Sequence, residues 1–240
     1  MPVDFETIYA TDLVYVPDCW RLCGDAHCCS FARHKARFRL IGSGGGQELP
    51  LLPGEYAFLR DRGWLAQFQD HEHRAYDYVY PGGVLRVETI LSRRAGCACD
   101  HGTRPTICRL YPLVPVYDPD GAVVSVHHGG VYEALERQAG LDPACRLEAI
   151  PFPELQKFLA VAAAIARDPA ALFHVSAYLV ALRHLEARLA ALRGDASADV
   201  FRLFESNLLT GRLLDHDRLR EDLGRLARRF EDRYGAVLAA

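Results

Sequence analysis

The sequence predicts an α+β protein: a loop-rich, cysteine-cluster metal domain with short β-hairpins, followed by an α-helical C-terminal bundle or cover. All eight cysteines lie before residue 150, and the last 95 of the 240 residues contain none. Turn-forming sequences separate short β-rich stretches in that part, whereas residues from 153 onward repeat apolar side chains at helical spacing. These observations divide the chain into a cysteine-cluster metal-binding domain, residues 1–150, and a helical region packed on it, residues 151–240.

Two β-hairpins and one short helix are predicted in the first 150 residues. In each hairpin, two β-rich stretches flank a turn-forming sequence, Pro-Gly-Gly in the first and Asp-Pro-Asp-Gly in the second. A short helix is predicted over residues 52–64. The paired stretches are residues 76–80 with 84–90 and residues 114–117 with 122–126.

Four helices are predicted after residue 150. The second begins with Asp168 as N-cap and Pro169 at the first helical position, and it ends at Gly194, a C-cap signal. The third covers residues 198–209. The first and fourth are marked by apolar stripes, Leu155, Phe158, Leu159 and Ala162 in the first and Leu219, Leu223, Leu226, Phe230 and Tyr234 in the fourth.

Charge and hydropathy predict a cytoplasmic protein with no nucleic-acid or membrane partner. Residues 1–150 hold 15 basic and 19 acidic side chains and the remainder 13 and 12, so neither part is the basic domain that nucleic-acid binding requires. The first residues include acids and lack the apolar core of a secretory signal. The longest apolar run, residues 158–166, is far shorter than the roughly 20 residues that span a bilayer.

The cysteines form two groups and one single residue, with spacings C-x3-C-x4-C-C and C-x-C-x8-C in the groups. Cytoplasmic thiols stay reduced, so clustered cysteines indicate metal binding or redox work rather than disulfides. Short loops let thiolates converge on one metal centre. The spacing leaves four alternatives for the eight cysteines: two four-ligand sites, one site with spare thiols, a redox dithiol, or buried cysteines that pack as apolar residues. The predicted metal ligands are Cys19, Cys23, Cys28, Cys29, Cys97, Cys99, Cys108 and Cys145.

Two arginines and two histidines accompany the predicted ligands. Arg104 and Arg109 flank Cys108, and we predict that they bind the cofactor. A tetrathiolate zinc site or an oxidised four-iron cluster carries about two negative charges, which need hydrogen-bond donors or counter-ions when buried. The alternative for Arg109 is an ion pair with a surface acid. His27 and His101 share loops with cysteines and are further candidate ligands.

The segment from Cys99 to Pro112 contains Arg104-Pro105 and Cys108-Arg109, and it resembles the C…RPxxCRxxP signature of the YkgJ-type cysteine-cluster family of zinc- or iron-chelating domains. The first cysteine group resembles that family's CxxCxxCC motif, with spacers of three and four residues instead of two and two. The resemblance covers about residues 15–145 and implies metal ligation by the cysteines as a set. The flagellin lysine methylases resemble this family in the first motif and use an iron–sulfur cluster, which implies a role in modifying peptides or proteins.

The sequence therefore predicts a protein that holds an iron–sulfur cluster, such as 4Fe-4S, or zinc through clustered cysteine thiolates. Eight thiolates exceed the needs of one structural zinc, which favours the cluster. The centre would serve catalysis or electron transfer in protein or peptide modification. The alternative is a structural-zinc binding or adaptor module with no catalysis. The predicted partners are metal ions and a protein or peptide.

Overall fold

The computed structural model describes residues 3–15, 36–41, 47–68, 70–92, 100–142, 150–194 and 199–235, and its fold is mixed α+β. A 3-10 helix covers residues Trp64–Gln67. The strands are β1 (Gln47–Leu51), β2 (Glu72–Tyr80), β3 (Gly83–Ser92), β4 (Leu113–Tyr117) and β5 (Val123–His128). The helices are α1 (Phe5–Ala10), α2 (Glu55–Asp61), α3 (Thr106–Leu110), α4 (Val131–Gln138), α5 (Phe152–Ala166), α6 (Pro169–Leu192), α7 (Val200–Leu209) and α8 (His216–Tyr234).

Both predicted hairpins and the predicted short helix α2 are confirmed. Strands β2 and β3 pair antiparallel with Tyr80 opposite Gly83, so Pro81 and Gly82 form the turn. Gly82 has φ +104°, a conformation that favours glycine. Strands β4 and β5 form the second hairpin. The first sheet has a third strand that the sequence did not predict, because β1 pairs with β3 in the order β1-β3-β2.

The four predicted C-terminal helices are confirmed as α5 to α8. The Asp168 side chain accepts a hydrogen bond of 2.9 Å from the backbone N–H of Ala171, and Pro169 is the first residue of α6. The apolar stripe predicted for α5 is wrong at Leu159, which is 41% exposed. Its neighbour Phe158 is fully buried. The buried face of α5 runs from Phe158 through Val161 to Ile165 and does not include Leu159.

The largest hydrophobic cluster combines residues from both parts of the chain. Helices α5 and α6 pack against α1, β1, α2 and β4, so the helical region and the cysteine-bearing part share one core. Across the described ranges, no single helix combines the length and apolar character needed to cross a bilayer, and α5 and α6 meet both criteria only as a pair bent by 118°. The fully buried members of this cluster include Ile8, Leu13, Leu49, Leu51, Leu59, Phe68, Ile90, Leu110, Leu113, Phe158, Ile165 and Val175.

Helix α8 lies directly on the turn of the first hairpin. A Cβ atom added at Gly224 would lie 2.9 Å from the backbone carbonyl oxygen of Pro81, closer than real contacts allow. The adjacent Leu223 is buried in a cluster with Tyr80 and Phe173. Glycine at position 224 therefore permits the close approach of α8 to the hairpin.

We expect Gly224→Ala to lower the free energy of unfolding by about 1–3 kcal/mol, because the added methyl group meets backbone that must shift. In an uncrowded helix interior, the same change raises stability by about 1 kcal/mol. Urea unfolding measures the difference. Asp232→Ala, an exposed change on the same helix, is the control and should stay within about 0.5 kcal/mol. Stabilisation by Gly224→Ala would contradict the close contact.

Candidate metal centre

One of the eight predicted cysteine ligands lies among the described residues. Cys108 is half-buried on α3 and packs against the largest hydrophobic cluster. Burial, together with the charges of Glu133 and Cys108, raises the pKa of Tyr178 on α6 to about 12. Cys108 and Tyr178 also pack against the same hydrophobic cluster. The other predicted ligands, and the candidate His27, lie outside the described residues: Cys19, Cys23, Cys28, Cys29, Cys97, Cys99 and Cys145.

Helix α3 is held at its first residue by Glu55, a fully buried carboxylate on α2. Glu55 Oε1 accepts hydrogen bonds from the Thr106 backbone N–H and hydroxyl, both at 2.6 Å, and from the Tyr9 hydroxyl at 2.7 Å. Its Oε2 accepts from the Leu52 backbone N–H at 2.8 Å. One carboxylate thus joins α1, the start of α2 and the start of the cysteine-bearing helix.

Arg109, on the same short helix as Cys108, is only 2% exposed. Its Nη1 donates to the carbonyl oxygen of Thr11 at 2.9 Å, and its Nη2 donates to those of Tyr9, at 3.4 Å, and Gly102. The guanidinium carbon also lies 4.6 Å from the centre of the Tyr9 ring. The alternative of a surface ion pair is wrong for the described contacts, because they all go to backbone carbonyls and one ring.

Arg104 and Tyr15 form further hydrogen bonds between residues 100–110 and residues 9–15. Arg104 Nη2 donates to the carbonyl oxygen of Leu13 at 2.9 Å. The Tyr15 hydroxyl donates in the other direction, to the carbonyl oxygen of Leu110 at 3.0 Å. Residues 100–110 are therefore bonded to residues 9–15 through Arg104, Arg109 and Leu110.

Both predicted cofactor-binding arginines keep one donor unused within the described structure. Arg104 Nε and Arg109 Nε are buried and make no hydrogen bond there. Burial also lowers the pKa of Arg109. A buried N–H without an acceptor costs about 1–3 kcal/mol, so two such groups in the segment that contains Cys108 need an explanation.

The loop that leads to α3 is fixed by Gln67, at the end of the 3-10 helix. Gln67 Oε1 accepts from the Asp100 backbone N–H at 2.8 Å and from the Thr103 hydroxyl at 3.0 Å. His101 is half-buried in this loop, and burial, with the nearby charge of Arg104, lowers its pKa. The lowered pKa favours the neutral imidazole, the protonation state that binds metals.

The described ranges contain no group of three or more His, Cys, Asp or Glu side chains that could hold a metal ion. A centre that uses Cys108 must draw its other ligands from the rest of the chain. Sequence reasoning missed Glu55, because an acid in the first turn of a helix is an ordinary surface residue and nothing in its neighbours indicates burial.

No protein-family model, curated protein or solved structure matches this chain. The resemblance to the YkgJ-type family therefore stays a prediction, carried by the motifs alone.

We expect Glu55→Ala to lower the free energy of unfolding by about 3 kcal/mol or more, because it leaves several buried donors without acceptors. Urea unfolding is the measurement. Asp61→Ala is the control on the same helix, since the Asp61 side chain is 67% exposed and pairs only with Arg60 in the described contacts. Equal effects of the two changes would show that Glu55 does not hold α1 and α3 together.

Proposed function

We propose that the protein binds metal ions through its clustered cysteine thiolates and holds an iron–sulfur cluster or zinc. The observation that carries the proposal is the bonding of residues 100–110 to residues 9–15 through Arg104, Arg109 and Tyr15. These two segments lead to different cysteine groups, and a metal centre needs thiolates from distant parts of the chain to converge.

The chain lengths between these contacts and the cysteines are short. Six residue steps separate Leu13 from Cys19, a length of at most about 22 Å when fully extended. Cys99 directly precedes Asp100, and Cys108 lies within the bonded segment itself. The docking of the two segments thus supports a centre that combines both cysteine groups.

The two unused arginine donors also fit this proposal. A centre with four thiolates and about two negative charges is stabilised by hydrogen bonds to its sulfur atoms. Arg104 and Arg109 flank Cys108 in the sequence, and their Nε groups are buried and make no hydrogen bond in the described part of the chain. Bound at this place, a cluster would supply one-electron chemistry and zinc a structural cross-link. Each arginine would then donate from Nε to the metal centre while its Nη groups donate to backbone carbonyl oxygens.

A structural zinc in a binding or adaptor module is the second candidate. It is favoured by the contacts of Arg104 and Arg109, whose Nη groups fasten chain segments to one another. An electron-transfer or catalytic centre in peptide or protein modification is the role that the iron–sulfur form would take. Redox activity or an open coordination position distinguishes the two roles.

Anaerobic purification followed by analysis of iron, sulfide and zinc tests the proposal. For the cluster we expect iron and sulfide, with broad absorbance at about 400 nm. For the second candidate we expect stoichiometric zinc without colour. Protein that folds and contains neither metal in stoichiometric amount, even after anaerobic reconstitution with both, would overturn metal binding.

We expect Cys108→Ser to weaken metal binding by at least about 10- to 100-fold, the effect that loss of a mere supporting hydrogen bond has at metal sites. Metal content per chain after dialysis against a chelator is the measurement. Ile107→Val, the neighbouring half-buried position on α3, is the matched control and should keep full metal content. Full occupancy in a folded Cys108→Ser protein would remove Cys108 from the ligand set.

A further inference from the structure

A basic groove lies between α6 and α8, outside the candidate metal centre. Its volume is about 380 Å³, within the range of about 300–1,000 Å³ that small-molecule sites occupy. Val180, Ala187 and Leu226 supply its apolar lining. Its polar and charged lining consists of Arg183, His184, Arg218, Asp222, Arg225 and Arg229.

Helical spacing brings these charges to one side of each helix. On α8, positions 218, 222, 225 and 229 follow one another by four, three and four residues, so they share a face. On α6, Arg183 and His184 lie between Val180 and Ala187 with the same spacing. The buried side of α8 is formed by other positions, including Leu223 and Ala227, so the charged face is not required for core packing.

The one carboxylate in the groove already has partners for both of its oxygens. Asp222 Oδ2 lies 2.7 Å from His184 Nε2, and Asp222 Oδ1 accepts from Arg225. The other three guanidinium groups, of Arg183, Arg218 and Arg229, take part in none of the ion pairs of the described residues. Elsewhere on α8, Arg233 does pair, with Asp120 at 2.8 Å. The groove therefore concentrates positive charge in a chain whose net charge is −3.

We propose that this groove binds the phosphate group of a small phosphorylated molecule. The guanidinium group presents N–H donors in a planar fork that matches phosphate oxygens. Three such groups, which form no ion pair with any described residue, line one cavity. The apolar lining would contact the organic part of the ligand. Nucleic acid fits less well, because the groove has small-molecule size and neither part of the chain is basic overall.

His184 provides a reporter inside the groove. Its side chain is 14% exposed, and burial, together with the charges of Arg218 and Arg225, lowers its pKa against the opposing effect of Asp215. An anion bound among the arginines favours the protonated imidazole, so it raises the pKa of His184. An NMR titration of this imidazole with and without ligand separates binding in the groove from binding elsewhere.

Calorimetry with pyrophosphate as the probe tests the proposal. We expect saturable binding to the wild-type protein, weakened about tenfold or more by Arg229→Gln, since a hydrogen bond between charged groups is lost. Arg228→Gln is the matched control, because Arg228 is an exposed arginine one position away that does not line the groove. It should leave binding unchanged within about twofold, and pyrophosphate should raise the pKa of His184.

Three results would overturn the proposal: absence of pyrophosphate binding, equal weakening by Arg228→Gln and Arg229→Gln, or an unchanged pKa of His184 at saturation. If the protein bound a single-stranded oligonucleotide but not pyrophosphate, the ligand of the groove would be nucleic acid and the proposal of a small phosphorylated molecule would be wrong. None of these measurements uses metal content as its readout, so failure of this proposal can be distinguished from failure of the proposed metal binding.

Discussion

Two buried charged groups fix the position of the helix that carries Cys108. The Glu55 carboxylate accepts four hydrogen bonds, and the Arg109 guanidinium donates to three backbone carbonyls. Burial of either group without partners would cost several kcal/mol, so the surrounding backbone can adopt only the arrangements that satisfy both. Tyr9 contacts both groups, which makes α1 part of the same constraint. A five-residue helix, too short to be stable alone, is thereby held in one place.

Local sequence signals predicted most of the regular elements. Asp168-Pro169 fixed the start of α6 because the cap and the proline act within one turn, and Pro-Gly-Gly fixed the first hairpin because the turn itself sets strand pairing. The third strand β1 escaped prediction, since its Pro50 is a residue that strands tolerate mainly at edges. Leu159 was assigned to the wrong face because α5 carries apolar side chains on several sides, and only tertiary packing decides which of these side chains are buried.

The metal centre stays a prediction from the sequence, and the contacts that hold Cys108 in place were not predicted. The motif around Cys108 singled out Arg104 and Arg109 as donors, yet their Nη groups bond backbone carbonyls that lie about 90 to 100 residues away in sequence. Such contacts between distant segments produce no periodic pattern in the sequence. The groove arginines on α8 do show a pattern, a spacing of four and three residues, but an ordinary solvent-exposed helix face has the same spacing. It became informative only when α6 added Arg183 and His184 opposite it.

Helix α6 connects the two candidate sites through its packing. Val175 and Leu179 belong to the cluster shared with α1 and α3, Leu182 and Leu185 to a second cluster with α7, and Phe173 to a third beneath α8. A helix buried on several sides cannot shift against one neighbour without disturbing the others, because cores are packed at nearly crystalline density. Arg183 and His184 follow directly on the segment packed against the core of the cysteine-bearing part, so the wall of the groove is set by the same core that supports Cys108. Loss of order around Cys108 would therefore remove packing from the helix on which the groove depends.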